Sequence, residues 1–221
     1  MKHIQTICLL TAIAFSQAIQ AQDLFERMQQ LKQSQNFAEV KQELIQSLQS
    51  AEPNEITEDQ VLTAGYLQLR ETMSTLQNIG NERTTPRTIR WAAYKALARM
   101  GDETALAFLI SQVERNGMND DVVAILVPDL IYTQQRQAFD VLIEALYDDT
   151  PLCLSSNPDN EVAILCGYRI MEMLAPVIKD FPLELEASGD IKTDSYERSL
   201  QELRRWFEQR RTTYEILTEE F

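Results

Sequence analysis

Side chains able to do chemistry are few in this chain, and their types are selective. His3 is the only histidine among 221 residues, and it lies in a leader-like N-terminal stretch. Without it no imidazole remains for Ser-His-Asp or Cys-His catalysis, for a general base or for metal ligation. No GxSxG, HExxH or Gly-rich phosphate loop occurs either. An enzyme built from this chain would have to work with carboxylates, Tyr, Lys or Arg. No catalytic residue, metal site or cofactor is expected.

Three groups of residues stand out instead. Arg87, Arg90, Trp91, Tyr94 and Tyr132 flank expected core positions, and Arg, Trp and Tyr are the types enriched in binding hot spots. They either line a groove or, for Trp91, pack against an N-terminal cap. Cys153 and Cys166 are 13 residues apart. In an oxidising compartment an even pair suggests a disulfide, with two reduced thiols as the alternative. Arg204, Arg205, Arg210 and Arg211 form the one dense basic cluster. They either pair along their helix with Glu202 and Glu208 or dock on an acidic surface, a partner's or the chain's own. Asp148–Asp149, at an expected helix C-terminus where acidic charge is unfavourable, is either a solvated helix end or, as the alternative, holds something basic. Asn157 to Glu161 is oxygen-rich but lacks EF-hand spacing, and Asp159 suits a helix cap better than calcium.

Composition bounds the setting. A basic start, an uncharged apolar run from Ile4 to Phe15 and small residues up to Ala21 form the three parts of a secretory signal peptide. The run is too short for the ~20 residues of a membrane span. Loss of residues 1–21 leaves 19 basic against 34 acidic residues, a net charge of −15. An exported chain, periplasmic or secreted, with no membrane span and no nucleic-acid partner is expected.

The elements that position these residues read as helices throughout. Phe37, Val40, Leu44, Ile45 and Leu48 recur with helical spacing. Thr57 with Gln60 has capping-box spacing, opening a helix that runs to a stop at Gly80. Thr85-Pro86 starts the next, with Thr as cap, and Gly101-Asp102 turns into its partner. A related phrase returns after 33 residues: Ala105 and Leu109–Ile110 align with Ala138 and Leu142–Ile143, and Leu97 aligns with Leu130. Pro128 should kink the second repeat's first helix. A long loop from Asp148 to Asn160 follows, then a third pair whose second member is a short helix at Pro176–Phe181. A last helix spans Asp194 to Leu217.

Arg90, Ala93, Ala96, Leu97, Met100, Gly101 and Asp102 occupy the places of an Arg-x-x-Ala-x-x-Ala-Leu-x-x-Leu-Gly-Asp pattern. The stretch resembles HEAT repeats, closest to the short HEAT-like repeats named after phycobilisome lyases. The resemblance is good over about 30 residues and weak in the second repeat, where Thr133-Gln134 replaces Gly-Asp. It implies an all-α fold, an α-solenoid of antiparallel helical hairpins in an armadillo/HEAT-like superhelix, and a binding or scaffolding role without a catalytic residue. The expected plan is a signal peptide (1–21), an N-terminal helical cap (22–80), HEAT-like repeats (84–182) and a closing helix (193–218) packed on the same domain. The expected function is an exported, non-catalytic scaffold that binds a protein or peptide in its groove. The alternatives are an enzyme or lyase-like accessory factor using carboxylates in the groove, and a structural subunit of an envelope assembly.

Overall fold

The computed structural model describes residues 37–52, 55–155 and 162–218. The expected leader, the expected helical segment at residues 23–31 and the oxygen-rich stretch up to Glu161 lie outside the described residues. The chain divides into compact units at Met1–Phe37 and Ala38–Phe221, and the helices below belong to the second.

Among the described residues the fold is all-helical. Nine α-helices are present and no strand beyond isolated antiparallel bridges. They are α1 (Phe37–Ser50), α2 (Glu58–Tyr66), α3 (Met73–Asn81), α4 (Arg87–Arg99), α5 (Glu103–Asn116), α6 (Val127–Thr133), α7 (Arg136–Ala145), α8 (Cys166–Leu174) and α9 (Tyr196–Arg210).

The local signals explain most of these boundaries. At α2 the capping box forms in full: Gln60 N–H donates to the Thr57 hydroxyl, and Thr57 N–H donates to the Gln60 side chain. At α5 the Asp102 carboxylate accepts from Ala105 N–H at 2.9 Å, and Gly101 turns the chain at φ +91°. The Asp102 carboxyl is held below its usual range by that amide and by Gln77 Nε2, 2.9 Å away.

Elsewhere the structure departs from expectation. The helix expected from Thr57 to Gly80 is two helices, broken where Gln68 adopts a left-handed φ of +50° and a short 3₁₀ turn at Arg70–Thr72 follows. Gly80 does not stop α3. It lies inside the helix, where its bare Cα faces the Tyr94 ring. Pro86, not Thr85, is the N-cap of α4, and the buried Thr85 hydroxyl makes no hydrogen bond. Pro128 sits in the first turn of α6, where it needs no N–H. The irregularity falls before it, in a π-helical turn at Val122–Leu126 closed by Val127 N–H on Val122 C=O. Pro176–Phe181 is not helical. Ile178 instead pairs with Ile216, because α9 ends at Arg210 and the chain beyond it returns as an extended strap.

The centre of the packing is α4, which meets α2, α3, α5 and α6. Its Ala92, Ala93, Ala96 and Ala98 are completely buried. Small side chains there let neighbouring backbones come close. A Cβ added at Gly65 of α2 would lie 2.6 Å from the Ala96 Cα and would also strike the Tyr132 hydroxyl. Cys153 and Cys166 are bonded, with Cα atoms 5.0 Å apart and both residues buried. Beside them Cys153 and Ile164 exchange both backbone hydrogen bonds, at 3.1 and 2.7 Å.

Gly65→Ala is therefore expected to destabilise the fold by about 1–3 kcal/mol, the range for overpacking a closed contact. Urea unfolding of the two proteins measures it, and an unchanged midpoint would show that α2 and α4 are not tightly apposed. Replacing both cysteines by serine should remove about 3 kcal/mol, the chain-entropy value for a loop of this length. The difference should vanish when both proteins are unfolded under strong reductant.

Candidate functional site

One edge of α4 carries most of the residues singled out by type. Arg87, Arg90, Trp91 and Tyr94 recur at steps of three, one and three, so they share a face. Arg87 is exposed, while Arg90, Trp91 and Tyr94 are half-buried. Both aromatic rings rest on Phe108 of α5. Trp91 meets it edge-on at 5.7 Å between centroids, and Tyr94 lies tilted at 4.3 Å. Trp91 is also held from α6: its Nε1–H donates to Asp129 Oδ2 at 2.6 Å. The other Asp129 oxygen pairs with Lys95 Nζ at 2.9 Å, in a largely enclosed contact. One carboxylate thus fixes the indole and neutralises the nearest lysine. Of the two readings of Trp91, packing against an N-terminal cap finds no support in its ring and hydrogen-bond partners, which are on α5 and α6.

Tyr132 goes elsewhere. Its hydroxyl donates to Leu62 C=O in α2 at 2.6 Å, and no ring contact joins it to Trp91 or Tyr94. Its ring packs against Arg99, the last residue of α4. The Arg99 guanidinium lies 4.5 Å from the Tyr66 ring centre and 5.0 Å from that of Tyr132, and donates to Tyr132 C=O. Burial pushes the Tyr132 phenol well above its ordinary pKa. The structure brings four of the five candidate residues together and assigns the fifth to the α2–α4–α6 contact.

Charge distinguishes this edge further. From Arg83 to Gly101 the sequence holds five basic residues and no acidic one, in a chain with a net charge of −14. Lys95 and Arg99 are engaged as described. Among the described residues Arg83, Arg87 and Arg90 have no ion pair or hydrogen bond from their guanidinium groups, and the Arg90 Nε is buried without a partner. The patterns noted in the sequence included Arg87 and Arg90 but missed Arg83. The acid-free run was the available signal.

The other basic cluster is largely satisfied within the chain. Arg204 donates to Leu146 C=O and pairs with Asp149 at 2.7 Å, while its guanidinium faces Tyr147. Asp149 does hold something basic, and it is this arginine. Arg211 pairs with Glu144, and Arg210 lies over Trp206. Asp120 has a comparable role: it accepts from Leu154 N–H and pairs with Arg169 at 2.6 Å, tying the cysteine-bearing loop to α8.

One half-buried carboxyl has no such cation at hydrogen-bond distance. Glu172 on α8 accepts from the Tyr196 hydroxyl at 2.5 Å, and Tyr196 packs edge-on against Tyr168. Burial raises the Glu172 pKa, the Tyr196 bond and the Arg169 charge oppose the rise, and the Asp190 charge adds to it. Among the described residues no group of three or more His, Cys, Asp or Glu side chains could hold a metal ion. Compared with known proteins, the chain matches no family model, no curated protein and no solved structure.

A raised folded-state pKa means that ionised Glu172 weakens the fold at neutral pH. Stability should gain a contribution as pH falls through that raised value towards the ordinary Glu range near 4.3. Glu172→Gln keeps an acceptor for Tyr196 but cannot titrate. The variant should lose this part of the pH dependence, read from urea midpoints between about pH 4 and 7. Equal slopes for the two proteins would remove Glu172 as its source.

Proposed function

We propose that this protein is an exported, non-catalytic α-solenoid of HEAT-like hairpins that binds a protein or peptide along the outer edge of α4. The observation that carries the reading is the state of that edge. Two aromatic rings are held in fixed positions by Phe108 and Asp129, beside arginines whose guanidiniums make no ion pair or hydrogen bond among the described residues. Pre-fixed aromatic groups lose little conformational freedom on binding, which is how such surfaces gain affinity. The binding residues are Arg87, Arg90, Trp91 and Tyr94, with Tyr132 supporting α4 from behind.

Three further observations support the wider reading. The fold is helical, with α4 and α5 joined by the Gly101-Asp102 turn that the HEAT resemblance requires. The Cys153–Cys166 bond is compatible with an oxidising compartment. No helix among the described residues is long and apolar enough to cross a membrane.

Immobilised protein lacking residues 1–21 should retain a partner from an envelope extract of its source. An Arg87→Ala variant, altered only at an exposed position, should retain at least about fivefold less, whereas Arg198→Ala on α9 should retain the same amount. Equal retention by all three proteins would move the binding surface away from α4, and a failure to retain any partner would remove the binding role. The mass of the protein isolated from the envelope should correspond to a start at Gln22. A start at Met1 would refute cleavage.

A further inference from the structure

We propose that the partner segment recognised by α4 is acidic, with Asp or Glu side chains pairing with Arg83, Arg87 and Arg90 beside the fixed Trp91 ring. The inference rests on the binding role proposed above and adds the chemistry of the occupant.

The argument begins with a placement that the fold alone disfavours. The N-terminal end of a helix carries partial positive charge and is stabilised by acidic residues. In α4 the first turn has no acidic residue, Arg87 is its first residue, and Arg90 lies three positions on. Arg83, in the turn before the helix, precedes Arg87 by four positions. Like charges three apart on a helix, as Arg87 and Arg90 are, repel by a few tenths of a kcal/mol. Among the described residues no carboxylate pairs with any of the three guanidiniums.

The neighbouring acids are committed elsewhere. Asp129 is occupied by Trp91 and Lys95. Glu82 accepts from both the amide and the hydroxyl of Thr84, at 3.1 and 3.0 Å. Arg83 and Arg87 are exposed and Arg90 is half-buried, and none of the three guanidiniums has an ion pair or hydrogen bond among the described residues. Arginine is suited to what would meet them, because its planar fork matches a carboxylate with two parallel hydrogen bonds. An acidic segment would also be repelled by most of this strongly acidic surface, so the basic edge would fix where it docks. Nucleic acid and anionic lipid carry far denser charge, and a net of −14 opposes their approach. A single anion would need only one or two of the arginines, not three spread from the turn before α4 into its first helical turn.

The test uses a fluorescein-labelled ten-residue peptide of glutamates with one central tyrosine, followed by anisotropy on the protein without its leader. Binding is expected in 20 mM NaCl and should weaken at least about tenfold in 200 mM. The triple variant Arg83→Gln, Arg87→Gln, Arg90→Gln should bind at least about tenfold more weakly. An Arg198→Gln, Arg205→Gln variant, which removes cations from α9, should bind like the parent. Circular dichroism and the thermal midpoint verify that the triple variant is folded; should it not be, single Arg83→Gln and Arg87→Gln variants replace it, each expected to bind about threefold more weakly.

Equal binding by the parent and α4 variants would overturn the proposal. So would displacement of the peptide by inorganic phosphate at equal charge concentration, which would indicate a simple anion site. Concentration-dependent self-association lost in the triple variant would identify a second copy of the chain as the acidic partner, and would replace the peptide proposal. If the glutamate peptide fails to bind while Arg87→Ala still lowers partner retention, the acidic chemistry falls and the α4 binding role stands. If neither effect is seen, both fall.

Discussion

The buried guanidinium of Arg99 is the constraint around which the middle of this protein is arranged. Burying an arginine is costly unless its charge and its donors are met. Tyr66 and Tyr132 present their rings to it from α2 and α6, and a Tyr132 carbonyl accepts from it. These partners come from two other helices, so neither can shift without uncovering the cation. Tyr132 extends the linkage by donating to Leu62 C=O, and Gly65 leaves room for its hydroxyl. Gln135, in the turn after α6, donates to Arg99 C=O at 3.2 Å. The position of Arg99 at the C-terminal end of α4 helps further, since that end favours a cation.

The second half of the chain is held by a different device. Few of its helices are long, and the segments between them are tied by side chains acting on backbone. Asp120 grips both Leu154 N–H and Arg169, one on each side of the disulfide. Arg204 reaches from α9 to Leu146 C=O and Asp149, securing the start of the same loop. Arg136 donates to the carbonyls of Tyr214 and Arg211, and its guanidinium lies 3.5 Å from the Tyr214 ring centre, which fixes the C-terminal strap on α7. Two of the four arginines that read as a basic cluster, Arg204 and Arg211, are thus internal fasteners. That makes the unengaged arginines before and on α4 the more telling exception.

What could be read from the sequence was local. The Thr57–Gln60 capping box and the Asp102 cap depend on residues three apart, and both formed as their spacing implied. Helix faces followed from apolar recurrence, and the adjacency of Arg90, Trp91 and Tyr94 followed from helical geometry. The features that were not legible depend on distant partners. Nothing near Gln68 announces a left-handed residue, yet that break lets α2 and α3 both reach α4. The Ile178–Ile216 pairing joins residues 38 positions apart, which periodicity cannot detect. Tyr132 has the right type for a binding residue, but its role was decided by Leu62, Arg99 and Tyr66. Residue type proposes a site, and long-range packing decides who occupies it.

The two ends of α4 hold their arginines in opposite circumstances. Arg99 lies at the end that favours a cation and is consumed by the core. Arg87 and Arg90 lie at the end that disfavours one and are left unengaged. The core contacts of α4 run through Ala92, Ala93, Ala96 and Leu97, none of which touches the outer arginines' charge. The unfavourable charge can therefore persist at a cost of only tenths of a kcal/mol per pair, far less than the helix gains from burying its inner face. A helix packed by α2, α3, α5 and α6 holds the backbone of Arg87 and Arg90 and the Trp91 ring in place, while the two arginine side chains keep their rotamer freedom. On the binding role proposed above, charges whose backbone spacing is set before any partner arrives would favour an occupant of matching spacing.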